Sequence, residues 1–121
     1  MEKILVLGAS PNEARISNLA VHRLKSSGYE PIPVGIRDGK IAGIEIIKGE
    51  PIIENVIGVS LYLNAQRQEQ FYDYIIDLHP RYVIFNPGTE NPVFVKLLRE
   101  NNIETIVACN LTMLALDDMP I

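Results

Sequence analysis

The sequence predicts an α/β fold, a three-layer, doubly wound parallel sheet in one domain, and three observations carry that reading. Apolar runs of strand length recur at residues 3–7, 56–63, 82–85 and 103–108. They are apolar along their length rather than alternating, as in strands covered on both faces. Segments of helical period separate them, and such alternation builds parallel βαβ units with helices on both sides of the sheet. The length, 121 residues, gives one domain a sizeable core and leaves no room for a second.

The elements follow in order. Lys3-Ile4-Leu5-Val6-Leu7 is a buried strand that ends abruptly in Gly8-Ala9-Ser10-Pro11. Two helix starts then compete. Ser10-Pro11-Asn12-Glu13 has the form of a capping box with proline at the first helical position. Ser17-Asn18 also has cap chemistry, with Leu19, Ala20, Arg23 and Leu24 on the helical face after it. The later start is expected, which leaves 8–16 as a loop wide enough for a ligand. Gly28 stops this helix. A short second strand is expected in Tyr29-Glu30-Pro31-Ile32-Pro33-Val34-Gly35, with Pro33 near its end because proline has no N–H to pair. Residues 40–47 read as a surface excursion or a short extra strand. The spacing of Phe71, Tyr74, Ile75 and Leu78 predicts one helix over 66–78, ended by Pro80. Asn86-Pro87-Gly88 is a turn, and Asn91-Pro92 opens a helix with Val93, Val95, Leu97 and Leu98 as its apolar positions. A last strand over 103–108 and a short helix over 111–116 complete the chain.

Ligands of doubly wound sheets bind at the carboxyl ends of the strands. This rule gathers Gly8-Ala9-Ser10, Pro33-Val34-Gly35, Leu63-Asn64, Asn86-Pro87-Gly88 and Cys109-Asn110 on one edge. Gly8 lets backbone approach a pyrophosphate closely, and a helix start supplies unpaired N–H groups for an anion. Alone, a Gly-Ala-Ser turn fits equally a βα connection that binds nothing. The dinucleotide pattern G-x-G-x-x-G is missing: Ser10 and Glu13 stand at the later glycine positions. The second strand does not end in a carboxylate for a ribose hydroxyl; Asp38 lies beyond Arg37. NAD is therefore disfavoured. The Arg37 fork suits a ribose phosphate, which NADP carries at the 2′ and CoA at the 3′ position, or it is a solvated surface charge.

Charge and composition exclude other classes. A net charge of −4 offers no basic stripe for nucleic acid. No apolar run reaches the roughly 18 residues of a membrane span. The chain enters a strand pattern at once, which predicts no signal peptide. Cys109, the single cysteine, excludes an intrachain disulfide and suits a reducing cytoplasm. No catalytic constellation emerges. His22 reads as a solvated helix residue, His79 as a helix-end residue favoured by the dipole, and Asp117-Asp118 as solvated charges. No Cys, His and Asp spacing matches a metal site. Cys109, between a strand and a helix, is expected to have a lowered pKa and to be open to a mixed disulfide with a thiol ligand. A small buried residue closing the strand is the alternative.

Leu7-Gly8-Ala9-Ser10, Ser17-Asn18, the run Gly28-Tyr29-Glu30-Pro31-Ile32-Pro33-Val34, Gly43 and Cys109 fall in the order and spacing of the small stand-alone CoA-binding domain proteins. The chain resembles this family over nearly its whole length. The family is similar to the N-terminal nucleotide-binding domain of the succinyl-CoA synthetase α subunit, a Rossmann-like fold. The resemblance implies that Gly8, Ala9 and Ser10 meet the pyrophosphate, with Ser17 donating to the same phosphates. It implies that Val34, after Pro33, lies against adenine and that Arg37 meets the 3′-phosphate. Leu63, Asn64, Asn86, Pro87 and Gly88 would border the pantetheine side, with Cys109 in reach of the CoA thiol. The chain departs from the family pattern at Gly35-Ile36, where Asn-Pro is usual. It departs again at Phe85-Asn86-Pro87-Gly88, where an aromatic and Gln often precede Gly, and at Asn110, where Pro often follows the cysteine. The phosphohistidine domain that synthetases of this resemblance use is not in this chain.

The expected function is non-catalytic binding of CoA or acyl-CoA, with no metal, nucleic acid or membrane partner. The alternatives are an NADP- or other nucleotide-dependent enzyme and a ligand-free scaffold for protein interaction. Dimerisation through an exposed helix face or an edge strand is compatible with the sequence.

Overall fold

The computed structural model describes residues 1–120. Five parallel strands form the sheet: β1 (Lys3–Leu7), β2 (Glu30–Val34), β5 (Val56–Leu61), β6 (Tyr82–Phe85) and β7 (Glu104–Val107). Their order is β2-β1-β5-β6-β7. Every pairing is parallel, so each connection must cross over a face. α1 (Ile16–Ser26) and α5 (Asn110–Ala115) cover one face. The other face carries α2 (Ala65–Gln68), α3 (Tyr72–Leu78) and α4 (Pro92–Glu100).

Side-chain alternation along the strands divides the core in two. Leu5, Leu7, Val59, Leu61, Val83 and Phe85 pack with Ile75, Phe94 and Leu98 on the α3/α4 side. Ile4, Val6, Tyr82 and Ile84 pack with Val21, Leu24 and Met113 on the α1/α5 side. Burial on both faces is why these strands read as continuous apolar runs.

Four elements differ from expectation. Helix α1 starts at Ile16 with Arg15 at its N-cap and no side-chain cap. Ser17 and Asn18 are therefore not caps but buried residues of the first turn. Ser10 does not cap the helix either; its hydroxyl accepts from the Asn12 N–H at 3.1 Å and folds the loop on itself. Pro33 lies inside β2 rather than at its end. The β2 residues bonded to β1 are the even-numbered ones, seen in Glu30 N–H to Glu2 O and in Gly8 N–H to Val34 O. Pro31 and Pro33 thus turn their missing donors to the outer edge, where no ladder bond to β1 is lost.

Residues 40–47 hold a minimal hairpin, β3 (Lys40–Ile41) and β4 (Ile44–Glu45). Ala42 and Gly43 at its turn both have positive φ, as a tight hairpin of matching twist needs. The segment expected as one helix over 66–78 is broken by a 3-10 turn at Glu69–Phe71. Gln68, wholly buried, anchors the first piece by donating to Leu63 O and Thr89 O.

Candidate functional site

The chain passes from β1 to β2 on one side and then crosses back over β1 to β5 on the other, so the strand order reverses about β1. The crevice of a doubly wound sheet opens at such a point, outside the carboxyl ends. Here it lies between the loop after β1 and the loop after β5. The two loops touch at Gly8, where a Cβ would stand 2.9 Å from the Tyr62 carbonyl carbon and 3.1 Å from the Leu63 side chain. Gly8 also has φ +96°, a conformation that favours glycine.

The turn after β2 closes the third side. A Cβ on Gly35 would collide with the Ala9 carbonyl oxygen, and one on Gly39 would lie 2.7 Å from Pro11. Residues 35–39 are therefore laid along the 8–11 loop at both ends, with Arg37 at the crest. Arg37 is exposed and makes no ion pair among the described residues, while its neighbour Asp38 pairs with Lys48 at 2.9 Å. Gly39 shapes the site and was missed by sequence reasoning, while Gly35 was gathered on the edge without its contact to Ala9. Their role depends on a contact between loops some 25 residues apart in the chain.

The loop's donors are divided. The N–H groups of Gly8 and Ala9 both go to Val34 O, at 2.9 and 3.0 Å. These are two of the donors expected to meet a pyrophosphate, and here they tie β1 to β2. The Asn12 carbonyl and side chain hold the following turn, accepting from Arg15 and Ala14 N–H. Asn18 reaches back to Ser10 O at 2.9 Å, which explains a buried amide in the helix's first turn. Among the described residues, the N–H groups of Ser10, Ile16 and Ser17 make no internal bond. Free N–H groups at a helix start are the kind of donors that attract anions.

Several other expected site residues serve the fold. Val34 is sealed in the core at 1% exposure, so its side chain has no face for a ring. Asn86, also buried, donates to the Ser60 hydroxyl at 2.9 Å and Leu61 O at 2.8 Å and accepts from Asn110 N–H at 2.8 Å. It pins the carboxyl ends of β5 and β6 to the start of α5. Asn64 is the N-cap of α2, accepting from Arg67 N–H at 2.9 Å. Leu63 is half-buried on the α3/α4 side, and Pro87 and Gly88 are exposed at the rim. A buried relay also escaped the sequence: Gln68 accepts from Asn91, whose amide also donates to the Tyr72 hydroxyl.

Cys109 is half-exposed at the N-cap of α5. Burial pushes its thiol up, but the backbone N–H and hydroxyl of Thr112 and the Leu111 N–H outweigh it and lower the pKa. The direction is the one expected before a helix. Tyr62, beside it, has the opposite fate. Burial lifts its phenol to about 12, tempered by the Ser60 hydroxyl and reinforced by Cys109. Ser60 falls short of hydrogen-bond geometry, so the Tyr62 oxygen stays buried without a partner among the described residues, as does Asn110 Oδ1.

The histidines stand elsewhere. His22 is exposed midway along α1. His79 closes α3 at φ 50°, just before β6 begins, at the amino edge of the sheet.

Comparison with known proteins places this architecture. A crystal structure of an uncharacterized protein is similar at 48% identity and TM-score 0.95, covering 98% of each chain. A protein from Thermus thermophilus shares the fold at TM-score 0.85 and 22% identity, over 98% of this chain and 90% of that one. A hypothetical protein from Pyrococcus horikoshii OT3 does so at TM-score 0.82 and 23% identity, over 92% and 80%. No curated protein matches the chain. The model of a CoA binding domain family matches residues 2–115, nearly the whole Rossmann-like unit, and the chain belongs to that family.

Proposed function

We propose that this protein binds CoA or an acyl-CoA at the carboxyl edge of its sheet and holds it without transforming it. The observation that carries the reading is the free-donor start of α1 beside the β1–β5 crevice, with the Arg37 turn laid along the same loop. In this reading the pyrophosphate rests on the N–H groups of Ser10, Ile16 and Ser17, with the backbone of Gly8 and Ala9 as the floor. Adenine lies over the Gly35 and Ile36 backbone beyond Val34, and Arg37 reaches the 3′-phosphate with its fork of donors. The pantetheine arm runs past Leu63 and Asn64 toward Pro87, Gly88 and the Cys109 thiol, above the bonds that Asn86 supplies. Both histidines lie off this edge, which supports holding over turnover. The single free thiol suits a reducing, cytoplasmic setting.

Titration calorimetry with CoA and dephospho-CoA tests the proposal. CoA is expected to bind more tightly than dephospho-CoA. Arg37→Ala should weaken CoA about tenfold, the worth of one charge-assisted bond, and erase the difference between the two ligands. Equal binding of both by the unaltered protein removes the role of Arg37. Binding of neither removes the function. An NADPH fluorescence titration then asks whether the crevice serves the other ribose phosphate.

A further inference from the structure

The two edges of the sheet are treated differently. At β2 the outward positions are Pro31 and Pro33, and residue 47 closes against them, with Ile47 N–H on Pro33 O and Gly35 N–H on Ile47 O. Prolines and a covering segment are how proteins blunt an exposed edge. At β7 neither device is present. Glu104 and Ala108 give their N–H groups inward, to Arg81 O at 3.1 Å and Phe85 O at 3.2 Å. Thr105 and Val107 therefore point N–H and C=O outward, and among the described residues nothing pairs with them. Val107 is 66% exposed and lines a groove with Val95, Glu90, Lys96, Arg99 and Glu100 of the α4 region.

We propose that β7 pairs with β7 of a second copy, antiparallel about a two-fold axis at Ile106, to give a continuous ten-stranded sheet. The outward groups select this register. Thr105 faces Val107 of the partner subunit as a hydrogen-bonded pair that exchanges both bonds, and the symmetric pair repeats it. Four backbone bonds form, with Ile106 opposite its own copy. The groove is self-complementary in charge. A two-fold axis runs α4 antiparallel to its copy, so the mixed charges of this groove, Glu90 and Glu100 with Lys96 and Arg99, meet the same mixed charges of the partner subunit. Two acids and two bases in one groove cancel within such a pair. A strand from an unrelated protein would need to match both register and charge.

Sedimentation equilibrium of the full chain at micromolar concentration is the test, with Val107→Pro and Val107→Lys as variants. Val107→Pro removes an outward donor and copies the device at β2. The unaltered protein is expected at twice the chain mass, and both variants at the single mass with unchanged circular dichroism. Should both variants unfold, cross-linking decides, with Ile106→Cys and Thr105→Cys each made on Cys109→Ser and oxidised with glutathione disulfide. Facing Ile106 positions lie at roughly 4.5 Å between Cα atoms, within disulfide reach, while the Thr105 positions lie roughly 8 Å apart. Cross-linking at 106 and not at 105 supports the register. A single-mass unaltered protein, a dimer persisting in both folded variants, or cross-linking at neither position overturns it. So does a dimer abolished instead by Leu19→Lys, in the groove between α1 and α5.

Discussion

Asn86 shows how one buried side chain ties the carboxyl edge of the sheet together. Its amide satisfies Leu61 O, Ser60 and Asn110 N–H in a place closed to water. Asn86→Ala leaves these groups unpaired, and urea denaturation is expected to show a loss of about 3 kcal/mol. Cys109 is tuned by its neighbours in turn. The Thr112 hydroxyl is among the groups that hold its thiolate. Thr112→Val should therefore move the midpoint of the alkylation-rate profile with iodoacetamide to higher pH, and an unmoved midpoint would deny Thr112 that part. At this scale the sequence was half legible. The close approach at Gly8 and the lowered thiol pKa of Cys109 announced themselves by residue type and position. Gly39 and Gln68 did not, and Gly35 was placed on the edge without its contact to Ala9, because these roles exist only where distant loops meet.

At the scale of elements, strands were read more faithfully than helix boundaries. A strand buried on both faces repeats its apolar character at every residue, so 3–7 and 82–85 stood out. Helix starts depend on which polar side chain wins a local bond. Ser10 and Asn12 spent theirs within the loop, and α1 began without a side-chain cap. The helix expected over 66–78 broke because Gln68 bonds to two other segments, which no periodicity records. Asn64, expected at the ligand, caps α2. Asn64→Ala should cost about 1 kcal/mol in thermal or chemical denaturation, as loss of a cap does. A smaller cost would mean that tertiary contacts hold that turn by themselves.

Over the whole molecule, burial of phenols couples stability to alkaline pH. The ordinary tyrosine value is 10; Tyr62 and Tyr74 are both raised to about 12 by burial. A raised folded value means the native state keeps the proton that the unfolded state gives up. The contribution is fully present below pH 10 and is lost as pH rises from 10 toward 12. Urea midpoints are expected to fall across that window, and Tyr62→Phe to flatten the fall. A midpoint equally steep in the variant would place the loss on other groups.

The sequence by itself determined the layered parallel sheet, its carboxyl edge and the resemblance to CoA-binding domains. Each of these follows from local signals: doubly buried strands, glycine at the first turn, and a motif in order. Tertiary structure decided which donors on that edge remain free. Gly8 and Ala9 lost theirs to Val34, Asn86 gave its amide N–H groups to the scaffold, and the Asn64 side-chain oxygen went to the cap of α2. A hydrogen-bonding group can be recognised from its residue type, but its partner is chosen by whatever the folded chain brings within 3 Å.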